Sequence, residues 1–225
     1  MKQPAARRPI KYLHPSAFLL AAQFLLLILY AVVDDLHSAR VLLSVFGSAV
    51  LVLLVWVVKR SPAVDWVAWI LAVPAITLTI LTAFIGNSTL MVWSSLLEAT
   101  LYFYAAASLI AYMMEDYQVT TDELFAAGAT FTLFAWGFAY LSLIVQTLAP
   151  GSFIGGPSAG PTLNFIELLF LSFTNLTATG LSDIVPGTTP ARVLMILEQF
   201  TGVAYITVVI SRLVSLSISR SKGKR

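Results

Sequence analysis

The chain has no cysteine among its 225 residues, which excludes disulfides, thiolate metal sites and cysteine nucleophiles together. Histidine is nearly as scarce: His14 and His37 are the only two, and the long apolar run between them speaks against a paired imidazole metal site. Charge is sparse as well. Only 11% of residues are charged while 59% are hydrophobic, and the mean hydropathy is +0.89. A soluble domain carries about 25% charged residues, so this balance points to an integral membrane protein of all-α class. No short apolar run with a small-residue cleavage site opens the sequence, and Met1 to Pro15 reads as a basic cytosolic tail.

What is present is a series of long apolar runs. A membrane span needs about 20 mostly apolar residues, and six runs fit: 17–33, 41–58, 66–84, 90–113, 124–148 and 191–215. Basic residues orient them, because loops rich in Lys and Arg stay on the cytoplasmic side. With the N-terminus inside, Lys2, Arg7, Arg8, Lys11, Lys59, Arg60, Arg212, Arg220, Lys222, Lys224 and Arg225 all fall inside, leaving Arg40 and Arg192 outside. Both termini are therefore expected in the cytosol of a plasma or inner membrane. The net charge of +2 gives no reason to expect a nucleic-acid partner; the basic ends suit anionic inner-leaflet lipid. The expected organisation is a cytosolic tail 1–16, a four-helix transmembrane domain 17–113, a cytosolic linker 114–123, a pore domain 124–218 and a basic tail 219–225.

The pore assignment comes from the loop between the fifth and sixth runs. Its Gly/Pro/Ser-rich stretch APGSFIGGPSAGPT leads into an apolar segment, Asn164 to Thr177. At helical rise that segment is about 21 Å long, too short for a core about 30 Å thick, so it should enter and turn back. Irregular backbone at membrane depth is tolerated where protein buries it or where it lines a watery cavity. The polar turn that follows, TNLTATGLSDIVP, then reads as a pore wall. A carbonyl filter needs Gly where the backbone takes conformations closed to other residues, and Gly180 supplies it. Thr177 and Thr179 offer hydroxyls to hold a narrow backbone, Asp183 puts negative charge at the outer mouth and can anchor the strand, and Pro186 ends the irregular segment.

At these residues the chain resembles the pore domain of tetrameric potassium-type channels. The resemblance covers Leu124 to Leu216 and places the family's TVGYG filter on Ala178, Thr179, Gly180, Leu181 and Ser182, with the filter aspartate at Asp183. It implies six transmembrane helices with a re-entrant pore helix and filter between the fifth and sixth. It also implies passive conduction of potassium or another monovalent cation on the backbone carbonyls of Ala178, Thr179, Gly180 and Leu181, with no other cofactor. One filter per chain cannot surround an ion, so a homotetramer is implied. The family's first threonine, tyrosine and second glycine are replaced by Ala178, Leu181 and Ser182. Leu181 removes the phenolic brace to the pore helix, where Phe170 and Leu171 offer no indole partner, and Ser182 would make a left-handed backbone more costly. The segment TATGLSD is also similar to the Trk and Ktr potassium transporters, whose pore segments usually carry one central glycine. A non-conducting pore-like subunit and a secondary cation transporter are the alternative readings. For the transporter, Pro74 offers a helix break, although no repeat relates the two halves.

Further candidates are single polar residues in apolar runs. Gly202 near the middle of the last run is a gating-hinge candidate or a close-packing site. Glu198 is placed to support the filter through Thr174 or Ser172. Glu167 belongs near the N-terminal end of the pore helix, where the helix dipole favours a carboxylate. Glu98 in the fourth run has no basic partner in the first four runs. It is expected to hydrogen-bond to Gln23, Thr79 or Ser94, and is the candidate sensor. That run contains no Arg or Lys, which speaks against an arginine-helix voltage sensor. Thr120 and Glu123 fit a capping box. Asp34, Asp35 and His37 read as a solvated helix boundary, and Trp56, Trp66, Trp69, Trp93 and Tyr112 as interfacial anchors or packing. The chain shows no protease constellation, with no histidine in any span and no facing aspartate pair, and it is not expected to be an enzyme.

Overall fold

The computed structural model describes residues 14–33, 39–58, 65–115, 120–156, 162–212 and 214–215, with only the backbone given for 31–33, 39–46, 58 and 65. The basic residues of both tails, Lys59, Arg60, the cluster Asp34, Asp35 and His37, and part of the Gly/Pro-rich loop lie outside the described residues, as does the side chain of Arg40. Among the described residues, seven helices and two short strands follow in the order α1 (Pro15–Val33), α2 (Ala39–Val58), α3 (Asp65–Ile85), α4 (Ser88–Met114), α5 (Thr121–Leu148), β1 (Phe153–Gly155), α6 (Phe165–Leu176), β2 (Ile184–Pro186) and α7 (Thr189–Tyr205). A π-helical turn, Ile206–Ile210, continues α7. Among the described residues, four helical stretches are long and apolar enough to cross a bilayer: Trp66–Ile85, Ser88–Met114, Thr121–Leu148 and Thr189–Ile210. The chain is an all-α, multi-pass membrane protein.

These helices carry many hydroxyls in apolar surroundings, and they satisfy them locally. Thr82, Thr100, Thr130, Thr147 and Thr201 each donate to the carbonyl four residues back, at 2.6–2.8 Å. Such bonds leave no free donor facing oil. Thr77 does the same to Val73 at 2.8 Å, and α3 runs unbroken through Pro74, so the helix break considered for a carrier is not there. Helices α4, α5 and α6 start at capping side chains, Asn87, Thr120 and Asn164. Thr120 accepts from Glu123 N at 3.3 Å, and Asp122 and Glu123 sit in the first turn of α5, where the dipole favours negative charge.

Helix α5 is the spine. One side takes α4, its most extensive partner, and α1; another takes α6 and α7, while α2 and α3 complete the unit around α4. Small residues allow these approaches: Ala105, Ala106, Ala126, Ala129, Ala135 and Ala139 are all buried. Gln23 of α1 accepts from Thr132 of α5 at 2.6 Å. At the start of α1, Asp122 accepts from Ser16 N at 3.2 Å and Ser16 Oγ at 3.0 Å. Arg212, beyond the π-turn, donates to the Met114 carbonyl at the end of α4 at 3.2 Å.

Candidate functional site

The short helix after the Gly/Pro-rich loop is α6, twelve residues long, or about 18 Å. Its entry is fixed by a complete capping box: Glu167 N donates to Asn164 Oδ1 at 2.9 Å and Asn164 N donates to Glu167 Oε2 at 2.6 Å. Gln146 at the end of α5 holds the residue before the cap by both backbone groups. Its amide nitrogen donates to Leu163 O at 2.9 Å and its oxygen accepts from Leu163 N at 3.0 Å. The start of α6 is thus bolted to α5.

The far end of α6 turns sharply. Thr177 N donates to Phe173 O at 3.2 Å, Ala178 N to Asn175 O at 2.9 Å and Thr179 N to Thr174 O at 3.1 Å. The Thr177 hydroxyl adds bonds to the Phe173 and Thr174 carbonyls at 2.9 and 3.1 Å, and the Thr179 hydroxyl reaches Thr174 O at 3.2 Å. Thr174 therefore supports the turn through its carbonyl, while its own hydroxyl donates to Leu171 O at 2.9 Å. Two residues of the turn are left-handed, Ala178 (φ 54°) and Gly180 (φ 65°); Ser182 is not. A non-glycine residue in that region costs roughly 1–2 kcal/mol, so the strain falls on Ala178. A Cβ at Gly180 would meet nothing within 4 Å, so its backbone conformation, not crowding by its own chain, is what calls for glycine.

Thr177 to Leu181 and Asp183 are all exposed, and Leu181 reaches 76%. The chain after the turn is held by backbone. Ile184 N donates to Ser182 Oγ at 3.1 Å, and β2 pairs antiparallel with β1, Phe153 opposite Pro186 and Gly155 opposite Ile184. A side chain at Gly155 would run into the Asp183 carbonyl. Pro186 thus closes a strand, where the sequence suggests only irregular chain.

Behind the turn lies Glu198 of α7, 1% exposed. Its partner is Asn175, whose Nδ2 donates to Glu198 Oε2 at 2.8 Å and to Met195 O at 3.0 Å. Ser172 Oγ, also buried, faces the same carboxyl group. Asn175 is the residue that sequence reasoning passed over. Its signal was a lone amide in an apolar half-helix, one turn from the filter. Four residues along α7, a Cβ on Gly202 would collide with the Leu176 carbonyl. Gly202 lets the last helix cross the end of α6 in contact with its backbone. Glu98 lies apart from all of these, buried among α1, α3, α4 and α5. Thr79 is its hydroxyl partner, Ser94 donates to Met91 O, and Gln23 is engaged with Thr132.

The site is thus a short helix ending in a hydroxyl-braced, left-handed turn, with a long apolar helix crossing behind it. The family model described as ion channel matches residues 128–218, a stretch that contains α6, the turn and all of α7, and it supports an ion-channel family for this chain. That family is not an enzyme family. No curated protein and no solved structure matched the chain.

Proposed function

We propose that this chain is the subunit of a homotetrameric channel that passes potassium-class monovalent cations passively, with six spans per subunit and both termini in the cytosol. The observation that carries the reading is the exposed turn at the end of a half-membrane helix. The C-terminal end of α6 bears partial negative charge, and the turn presents a left-handed glycine with open space around it. Backbone carbonyls of Ala178, Thr179, Gly180 and Leu181 would line the ion path, repeated by four copies about an axis. Asp183 adds negative potential at the mouth, and the Glu198–Asn175 pair braces the turn from behind. Gly202 permits the helix crossing and is the hinge candidate. With no Arg or Lys in α4, gating does not use an arginine helix. The basic tails would lie against anionic lipid.

Flux of potassium, sodium and caesium through the purified protein in liposomes tests this. Gly180→Ala places a Cβ at a left-handed position, a strain of about 1–2 kcal/mol, and should cut flux at least about tenfold. Asp183→Ala should lower it by a smaller factor that shrinks as salt rises. A folded tetramer without flux would instead make the chain a silent pore-like subunit. Flux that requires a second ion gradient would make it a transporter.

A further inference from the structure

The short helix begins inside an aromatic box. Phe165, the first residue of α6, packs against Tyr140 at 4.7 Å, Trp136 at 5.7 Å and Tyr30 at 5.8 Å between ring centroids. Tyr102 of α4 stacks on Tyr140 at 5.7 Å and on Trp136 at 6.1 Å. On the hydroxyl side of this box sits Glu98, 3% exposed. Thr79 of α3 donates to its carboxylate, the hydroxyl of Tyr140 of α5 lies against it, and Tyr30 of α1 and Tyr102 of α4 also face it. The described side chains of α2 include no titratable group, and among the described residues no lysine, arginine or histidine faces Glu98. One carboxyl group therefore joins α3, α4 and α5 and, through a single tyrosine ring, touches the start of α6.

A buried carboxyl has two hydrogen-bond states. Ionised, it accepts from both hydroxyls; neutral, its own O–H donates and one of those hydroxyls must turn to accept. When Tyr140 is the hydroxyl that turns, its preferred donor–acceptor geometry changes, and its ring, packed on Phe165 at 4.7 Å, passes the shift on. The box also holds an unused donor: Trp136 Nε1 is buried without a hydrogen-bond partner, a condition that favours any repacking which brings it an acceptor. We propose that Glu98 is a proton-responsive switch whose state, passed through Tyr140 to Phe165, sets the seating of α6 and so lets the first four helices regulate the pore. It rests on the channel reading only for its effect on flux.

The test is hydrogen exchange of the α6 amides in the full-length protein in lipid nanodiscs, corrected for intrinsic rates, in mildly acidic and mildly alkaline buffer. The wild type should change protection at least about threefold between the two, Glu98→Gln should abolish the change, and Tyr140→Phe should reduce it while leaving α6 folded. Flux is measured in parallel. A wild type that conducts or stays silent, but whose α6 protection ignores pH, overturns the switch; so does a pH response that survives in Glu98→Gln. A response abolished by Glu98→Gln in a protein that passes no ions supports the switch and removes the channel reading instead.

Discussion

Helices α5 and α7 flank the half-helix α6 and are about equally apolar, yet 61% of the membrane-length window of α5 is buried inside the chain against 22% for α7. Helix α5 spends its surface on α1, α4 and α6. Helix α7 buries one narrow stripe, Ala191, Leu194, Glu198, Gly202 and Tyr205, at intervals of three or four residues, which is a single helix face. Its other sides expose Val193, Ile196, Leu197, Phe200 and Val203. Hydrophobicity alone therefore does not say what a helix packs against. One helix is a scaffold within the subunit; the other is apolar toward surroundings that the subunit does not provide. On the proposed assembly those surroundings are lipid on one side and neighbouring copies on the other.

The contrast can be broken most strongly at the core of α5. Leu133→Ala, at a fully buried position, should cost about 2–5 kcal/mol, seen as a lower unfolding midpoint in detergent, with the oligomeric state of the surviving folded protein unchanged. Phe200→Ala, 73% exposed on α7, should move the subunit's own stability by less than about 0.5 kcal/mol and instead weaken the oligomer in light scattering. Equal stability losses from the two would erase the distinction.

A smaller effect sharpens the place where α7 does touch its own chain. Gly202→Ala sets a methyl against the Leu176 carbonyl and should cost about 1–3 kcal/mol. Gly47→Ala in α2, where a Cβ meets nothing within 4 Å, should be neutral or stabilise by up to about 1 kcal/mol. Thermal unfolding of the pair separates crowding from the general effect of replacing a helical glycine. Smallest is Asn164→Ala, which removes half of the capping box. A loss of about 1 kcal/mol, with faster exchange confined to the first turn of α6, is the expected result.

Much of this was legible in sequence because it depends on neighbours along the chain. Apolar run length located α3, α4, α5 and α7, α6 was bounded by Asn164 and Thr177 on length and composition, and the polar content of TATGLSD marked the turn. Glu123 after Thr120 signalled the start of α5. The parts that were not legible depend on residues brought together by the fold. Strand β1 forms only because α5, α6 and α7 deliver residues 153–155 beside 184–186. Ala178 is left-handed because the end of α6 ties its N–H to Asn175 O, a constraint that alanine itself does not announce. Glu198 was recognised as a brace acting through Thr174 or Ser172; Ser172 does face its carboxyl group, whereas the Thr174 hydroxyl is used by its own helix and the donor is Asn175, one residue on. Glu98 was noticed as a costly acid; Tyr140, which links it to the start of α6, is distant in sequence and unremarkable there.

The most direct measurement uses the absence of cysteine. Leu181→Cys places the chain's one thiol on the exposed turn, and cation flux in liposomes is followed before and after a charged thiol reagent is added from outside. If the turn lines the ion path, flux stops on labelling and returns when a reductant removes the adduct. Complete labelling of Leu181→Cys with flux unchanged would contradict the account, because ions would then be passing somewhere else.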